Sequence, residues 1–247
     1  MLLMGAGSKE AAGAAVPSYR VARASVPIRV DGILDEFDWA VAERIRFVKF
    51  GHEPEDGKPL REATQVMALW DNNNLYLAFL VQDSEIWATL TERDARLFPE
   101  ECVEFFLDLE GDGRRYIETQ INSLNNIRDL LVDRSMETPS YAQFDVMAKW
   151  DFQQLRKAVR IHRDRDGRDL GWTLEIALPW TELSFSRRSW PPRDGDELRI
   201  NLYRYERPRS GQLPLELSGW SPVPASFHDP GRFGRFVFTS ARAGSCR

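Results

Sequence analysis

Residues 98–122 read Phe-Pro-Glu-Glu-Cys-Val-Glu-Phe-Phe-Leu-Asp, then Leu-Glu-Gly-Asp-Gly, then Arg-Arg-Tyr-Ile-Glu-Thr-Gln-Ile-Asn. Two runs of β-branched, aromatic and aliphatic residues flank a short segment with two glycines and two acids, which is the pattern of a β-hairpin with an extended loop. If Asp108 and Arg114 close the loop, Phe106 pairs with Tyr116, Glu104 with Glu118 and Cys102 with Gln120. Side chains alternate across a strand, so Val103, Phe105, Leu107, Ile117 and Ile121 share one face, and Glu104, Glu118, Gln120 and Asn122 share the other. Directly opposed carboxylates repel, with Cβ atoms only about 4.5–5.5 Å apart. Something must compensate them: an arginine such as Arg128, Arg199 or Arg204, a shared proton, the hydroxyls of a ligand, a cation, or a catalytic role.

The rest of the chain is read as strands and turns. Residues 1–25 form a Gly/Ala/Ser-rich tail in this reading, with order starting at a short edge strand, Val26-Pro-Ile-Arg-Val, that ends in an Asp-Gly turn. Leu34, Phe37, Trp39 and Val41 mark the buried side of a helical turn or two. Stretches 63–70 and 75–82 form a hairpin around Asp71-Asn-Asn-Asn, a turn built from residues that tolerate left-handed backbone angles. The segments 155–163, 171–178, 197–205 and 233–238 alternate as strands, and the loops lie at His52 to Pro59, around Pro139 and from Pro208 to Pro224. Many short strands and almost no long amphipathic helix predict an all-β fold, a two-sheet sandwich over residues 26–239 with a tail at 240–247. At 247 residues one such core is feasible. Its interior is expected to hold Val103, Phe105, Leu107, Ile117, Ile121, Trp172, Leu174 and Ile176.

Composition narrows the function. The net charge is −5 and the pI about 5.4, with no basic block interleaved with aromatics, which argues against nucleic acid as a partner. There is no apolar run of the ~18 residues that a membrane span needs. The start, Met-Leu-Leu-Met-Gly-Ala-Gly-Ser-Lys-Glu, shows no secretory signal. The cysteines, Cys102 in a strand and Cys246 near the end, form neither a disulfide framework nor a metal motif, and are expected to remain unbonded to each other. Nucleophile elbow, P-loop and dinucleotide fingerprints are absent. His52, His162 and His228 share no metal-ligand spacing, and His228, in a loop beside Phe227 and Asp229, is the best placed of them for a site. Asp108-Leu-Glu-Gly-Asp-Gly resembles half a calcium loop, but the twelfth position is Thr119, which favours a plain hairpin turn. Trp39, Trp70 and Trp172 read as core; Phe98 and Phe227, in Pro-containing loops, read as contact rings.

Taken in order, Val30-Asp-Gly-Ile-Leu-Asp-Glu-Phe-Asp-Trp, Leu69-Trp-Asp-Asn-Asn-Asn-Leu-Tyr-Leu-Ala-Phe with Gln82-Asp83, Glu101-Cys-Val-Glu-Phe-Phe-Leu-Asp, Gly171-Trp-Thr-Leu-Glu-Ile-Ala-Leu-Pro-Trp, Leu198-Arg-Ile-Asn-Leu and Phe233-Gly resemble the family 9 carbohydrate-binding modules, particularly their stand-alone bacterial relatives. The resemblance implies an antiparallel immunoglobulin-like sandwich that binds a mono- or oligosaccharide, commonly exported, serving carbohydrate catabolism, and in some members carrying structural calcium. It places the family's two sugar-clamping tryptophans on Phe98 and Phe227, its acidic hydrogen-bonding residue on Glu104 and a facing arginine on Gln120; an asparagine before the second ring is Pro224 here. Phenylalanine keeps a stacking face but loses area and the indole donor. The site implied is Phe98, Glu104, Glu118, Gln120, Asn122, Phe227 and His228. Two other classes stay open: a glycoside hydrolase using Glu104 and Glu118 as a retaining pair, and a haem-binding electron-transfer sandwich with His228 and Met147 or Met136 as axial ligands.

Overall fold

The computed structural model describes residues 15–50, 59–133, 143, 147, 149–209, 211, 213–224 and 226–244. The expected loops near His52 and Pro139, together with Met136 and Cys246, lie outside the described residues. The strands are β1 (Ser18–Arg23), β2 (Ile45–Arg46), β3 (Val48–Phe50), β4 (Thr64–Trp70), β5 (Asn74–Gln82), β6 (Cys102–Asp108), β7 (Arg115–Ile121), β8 (Ile127–Asp133), β9 (Arg156–Arg163), β10 (Asp169–Pro179), β11 (Glu197–Glu206), β12 (Glu216–Gly219) and β13 (Gly234–Arg242), joined by a short helix, α1 (Phe37–Val41), and by 3-10 turns at Trp180–Leu183 and Pro230–Arg232. They form one curled sheet in the order β8-β7-β6-β11-β13-β1-β4-β5-β10-β9, with β12 also on β11, β3 on β12 and β2 on β4. The sheet folds over on itself as a sandwich. Its front layer contains β6, β7, β8 and β11, its back layer β4, β5, β9 and β10, and β13 and β1 join the two.

The expected core residues are buried between the layers, where Val103, Phe105, Leu107, Ile117 and Ile121 meet Trp172, Leu174 and Ile176. Two departures concern the edges. Residues 18–23, expected in the tail, form β1, whose Val21 is fully buried; β1 runs parallel to both β13 and β4, which interrupts the otherwise antiparallel pairing. At the other end β13 continues to Arg242, past the expected start of the tail at 240. The loop expected over 208–224 contains β12.

The expected strand at 26–32 is absent, and the reason lies in where its backbone donors go. Ser25 N and Val26 N donate to the buried Asp38 carboxylate at 2.6 and 3.2 Å, Arg29 N to Glu36 at 2.8 Å, and Asp31 N and Gly32 N to Glu175 at 3.0 and 2.8 Å. Side-chain carboxylates replace a strand ladder. The segment becomes a cover over the outer face of the back layer, where Ile28 and Trp39 pack on Met67, Leu69, Tyr76, Ala78 and Ala177. Trp39 closes the arrangement by donating its indole N–H to Glu175 at 3.0 Å. Phe37, expected on the buried side of α1, is instead 65% exposed.

The register of the β6–β7 hairpin also differs. Glu104 pairs with Gln120, Phe106 with Glu118 and Leu107 with Ile117, a slip of two residues that leaves each side chain on its expected face. Asp108 causes it. Its two carboxylate oxygens accept from Gly111 N and Gly113 N, both at 2.8 Å, which lengthens the turn, and both glycines have positive φ (72° and 70°) as that path requires. The carboxylates of Glu104 and Glu118 thus stand on diagonal positions, about 7–8 Å apart at the backbone rather than face to face.

At one end of the sandwich Arg204 lies buried, donating to Gln82 O at 2.7 Å and Thr64 Oγ1 at 3.2 Å, with its guanidinium on Glu206 and 3.7 Å from Asp83. Glu101 completes three carboxylates around one cation, its carboxyl hydrogen-bonded to those of Asp83 and Glu206. Burial, then the charges of Glu206 and Asp83, push its pKa up to about 10, so it carries a proton at neutral pH.

Two outcomes follow from these contacts. Glu175→Ala strands three donors, two of them buried, and should cost about 3 kcal/mol in urea denaturation; a loss under about 1 kcal/mol would contradict the anchoring role. Between its ordinary value of 4.5 and about 10, Glu101 binds a proton in the folded state that the unfolded chain has lost, so this group lowers stability as pH rises through that window. Glu101→Gln mimics the protonated acid. In calcium-free buffer it should raise the melting temperature by a margin that grows from pH 5 to pH 9, and a margin constant with pH would contradict the protonated state.

Candidate functional site

The outer face of the front layer carries the polar residues that the hairpin pattern brings together. Cross-strand register sets Tyr203, Glu104, Gln120 and Arg128 in one row across β11, β6, β7 and β8. The neighbouring rows hold Tyr205 beside Cys102 and Phe106 beside Glu118. Period-2 alternation along β11 already places Tyr203 and Tyr205 on this face. Their contribution was legible there, yet the sequence reading assigned them no role.

Glu104 is 2% exposed, and burial first, then the Glu118 carboxylate, raise its pKa well above the ordinary range. The Cys102 thiol, 4.0 Å from Glu104 Oε1, is buried, and burial first, then the carboxylates of Glu104 and Glu118, raise its pKa. Gln120 accepts from Leu97 N at 3.1 Å and donates to Glu118 Oε1 at 2.8 Å, so its amide orientation is set by protein partners. Glu118 Oε2 is buried without a hydrogen-bond partner, with His228 Nε2 3.6 Å away. His228 Nδ1 lies 2.8 Å from Tyr116 Oη. Both ring nitrogens thus face protein groups.

The aromatic residues divide into two sets. Phe227, read as a clamp ring, is instead 6% exposed and stacked on Tyr203 at 4.0 Å and 5°, with Phe50 edge-on at 5.7 Å. The loop that carries it folds onto the front layer, where Phe50, Phe106, Tyr116, Val223 and Phe233 form a second apolar cluster. Phe98 is half-buried, 6.0 Å from Tyr205, which in turn lies 4.9 Å from Phe227. Of the rings in these two sets, Phe98 and Tyr205 are the ones with accessible area. Asn122 is a turn residue: its amide donates to Leu90 O at 2.9 Å and its oxygen accepts from Leu124 N and Asn126 N.

Of the arginines considered as compensation, Arg128 alone joins the row, donating to Asp94 O at 2.5 Å, while Arg204 points between the layers and Arg199 reaches Pro230 O and Gly231 O, each at 3.3 Å. The face-to-face carboxylate pair on which a retaining hydrolase was drawn is not formed.

Among the described residues, two groups of acids have ligand atoms close enough to share a cation. In the group of Asp94, Asp129 and Asp151, Arg93 takes the cation's place, 2.6 Å from Asp129 and 2.9 Å from Asp151, and the set does not fit calcium. In the group of Asp83, Glu101 and Glu206, Arg204 likewise stands as the cation, on Glu206 and 3.7 Å from Asp83, and with Glu101 protonated this set does not fit calcium either. The calcium-loop fragment at Asp108 is a turn, since both oxygens of that carboxylate are spent on backbone N–H groups.

This surface, with buried amide and carboxylate groups edged by accessible aromatic rings, suits a ligand that is apolar on its ring faces and hydroxylated at its rim. Comparison with solved structures gives the same fold. A candidate carbohydrate-binding protein from Bacteroides uniformis superposes with a TM-score of 0.66 at 18% identity, covering 91% of this chain and 100% of that one. Two structures of a family 9 carbohydrate-binding module from Caldicellulosiruptor kristjanssonii, in complex with cellotriose and with glucose, give TM-scores of 0.62 and 0.60 at 13% identity, each covering 93% of this chain. A partial sequence likeness, 26% identity over 112 residues, is to a histidine–tRNA ligase of Methanocaldococcus jannaschii; it covers 44% of this chain and spans about a quarter of that enzyme's length, 26%. Residues 58–238 match the profile of carbohydrate-binding family 9, and the chain belongs to that family.

Proposed function

We propose that this domain binds a mono- or oligosaccharide without cleaving it, and that the sugar lies against the outer face of the front layer at Phe98, Tyr205, Glu118, Gln120 and His228. Family membership and the saccharides held by the Caldicellulosiruptor neighbours support the ligand class. The observation that carries the placement is the Glu118 oxygen, a buried acceptor with no hydrogen-bond partner, on the same face of the front layer as the half-buried Tyr205 ring, which lies 6.0 Å from Phe98. A sugar hydroxyl satisfies it, and a pyranose face covers the rings.

In this reading Glu104 has a supporting role. Held protonated, it resembles glutamine, and it keeps a second negative charge away from Glu118. Phe227 backs Tyr203 from within the apolar cluster, and Phe98 with Tyr205 provides the stacking surface. A role in carbohydrate catabolism in a bacterium accords with the family. Among the described residues no helix is long and apolar enough to cross a membrane.

Calorimetric titration with neutral gluco-oligosaccharides separates these roles. Phe98→Ala and Tyr205→Ala should each weaken binding up to about tenfold (~1.4 kcal/mol), the upper range for an aromatic face. Glu118→Gln should weaken it by a similar or larger factor, as loss of a bond to a charged acceptor costs about 1.5–3 kcal/mol. Glu104→Gln should leave affinity within a factor of about two and raise the melting temperature. Unchanged affinity in both aromatic variants would place the sugar elsewhere.

A further inference from the structure

A concavity lies on the opposite side of the molecule, a groove of about 510 Å³ between the cover segment at Gly32–Leu34 and the outer face of the back layer. Its polar lining is Arg44, Arg160, His162, Thr173, Gln65 and Gln82, and no aspartate or glutamate lines it. In a chain with more acids than bases, that is a local reversal of charge. Glu175, the next outward residue after Thr173 on β10, is committed under the cover to Asp31 N, Gly32 N and Trp39. Arg44 and Arg160 are both exposed, and Arg44 is oriented by a 3.0 Å bond to Gln65 Oε1.

The groove is built by specific backbone features. Gly32 has φ +80° and passes so close to β9 that a Cβ there would sit 3.0 Å from Arg160 N. A bulge in β10 pairs Asp169 with Arg163 and Gly171 with His162, leaving Leu170 as the extra residue, 55% exposed on the rim. Leu170, Leu80 and Leu34 supply apolar area. Thr173 Oγ1 donates to Gly32 O at 2.5 Å, so the contact of 3.1 Å between His162 Nε2 and Thr173 Oγ1 has the imidazole as donor. The other nitrogen, Nδ1, then offers a lone pair, and burial together with Arg160 keeps the ring neutral by lowering its pKa.

We propose that this groove is a second saccharide site, selective for a sugar that carries a carboxylate, such as a uronic acid. Arg44 and Arg160 take the carboxylate, the amides of Gln65 and Gln82 and the His162 Nδ1 lone pair take ring hydroxyls, and Leu170 with Leu80 takes the apolar ring face. The sugar class rests on the function proposed above; the preference for a carboxylate rests on the charge of the groove alone.

Titration of the full chain with trigalacturonate, cellotriose and inorganic sulfate tests it. Trigalacturonate should bind the wild type, and Arg44→Gln and Arg160→Gln should each weaken that binding at least tenfold while leaving cellotriose affinity and melting temperature unchanged. Phe98→Ala should do the reverse, weakening cellotriose and sparing trigalacturonate. Absence of trigalacturonate binding, retention of it in the double arginine variant, or its loss in Phe98→Ala would overturn the proposal. So would sulfate displacing trigalacturonate at equal concentration, which would make the groove a general anion site. Failure of the front site is read separately, as absence of cellotriose binding in the wild type.

Discussion

Carboxylates bonded to backbone N–H groups hold the irregular segments of this fold against its sheets, and the rest of the architecture depends on them. Both layers of the sandwich are covered on their outer faces, by 26–41 on the back and by the loop before β13 on the front. Irregular backbone under such cover needs partners for its donors. Glu175 and Asp38 supply them for the first cover, Asp108 for the hairpin turn, Asp129 for Phe152 N at 2.6 Å and Glu216 for Arg61 N at 3.0 Å. Each of these acids is at least nine-tenths buried. Their desolvation is offset because each accepts from groups that would otherwise be orphaned.

Against that background the acids bound to no backbone donor stand apart. Glu101 meets other carboxylates and Arg204, Glu104 meets Gln120, Cys102 and Glu118, and Glu118 keeps one oxygen without a hydrogen bond. A fold that spends most buried carboxylates on its own backbone leaves these for protonation or for ligands. That distinction, more than the presence of two glutamates on one strand face, locates the candidate saccharide site and separates the role of Glu118 from that of Glu104.

Much of this was legible in the sequence because period-2 alternation reports which face a side chain takes, independently of the partner strand's register. The slip of two residues in the β6–β7 hairpin therefore left the core expectation intact while removing the opposed carboxylate pair. Such a slip depends on the Asp108 side chain reaching Gly111 and Gly113, a tertiary choice that Asp-Leu-Glu-Gly-Asp-Gly does not announce. β1 was hidden for another reason: Ser18–Arg23 is short and follows a Gly/Ala-rich stretch, and its parallel neighbours come from distant parts of the chain. Phe227 illustrates the limit of carrying a motif across. The ring falls where the family places a clamp, but Tyr203 and Phe50 offer it an apolar seat, and a phenylalanine has no polar edge that would keep it at the surface.

The central claim is that a neutral sugar seats on the front layer, over Glu118 and against Phe98 and Tyr205. Its most direct test is a titration of isotopically labelled protein with cellotriose, followed by backbone and aromatic chemical shifts in nuclear magnetic resonance spectra. The account predicts that the largest changes cluster at Phe98, Glu118, Gln120, Tyr205 and His228, with the amides of β9 and β10 unmoved. Changes confined to β9, β10 and the Gly32–Leu34 cover would contradict it.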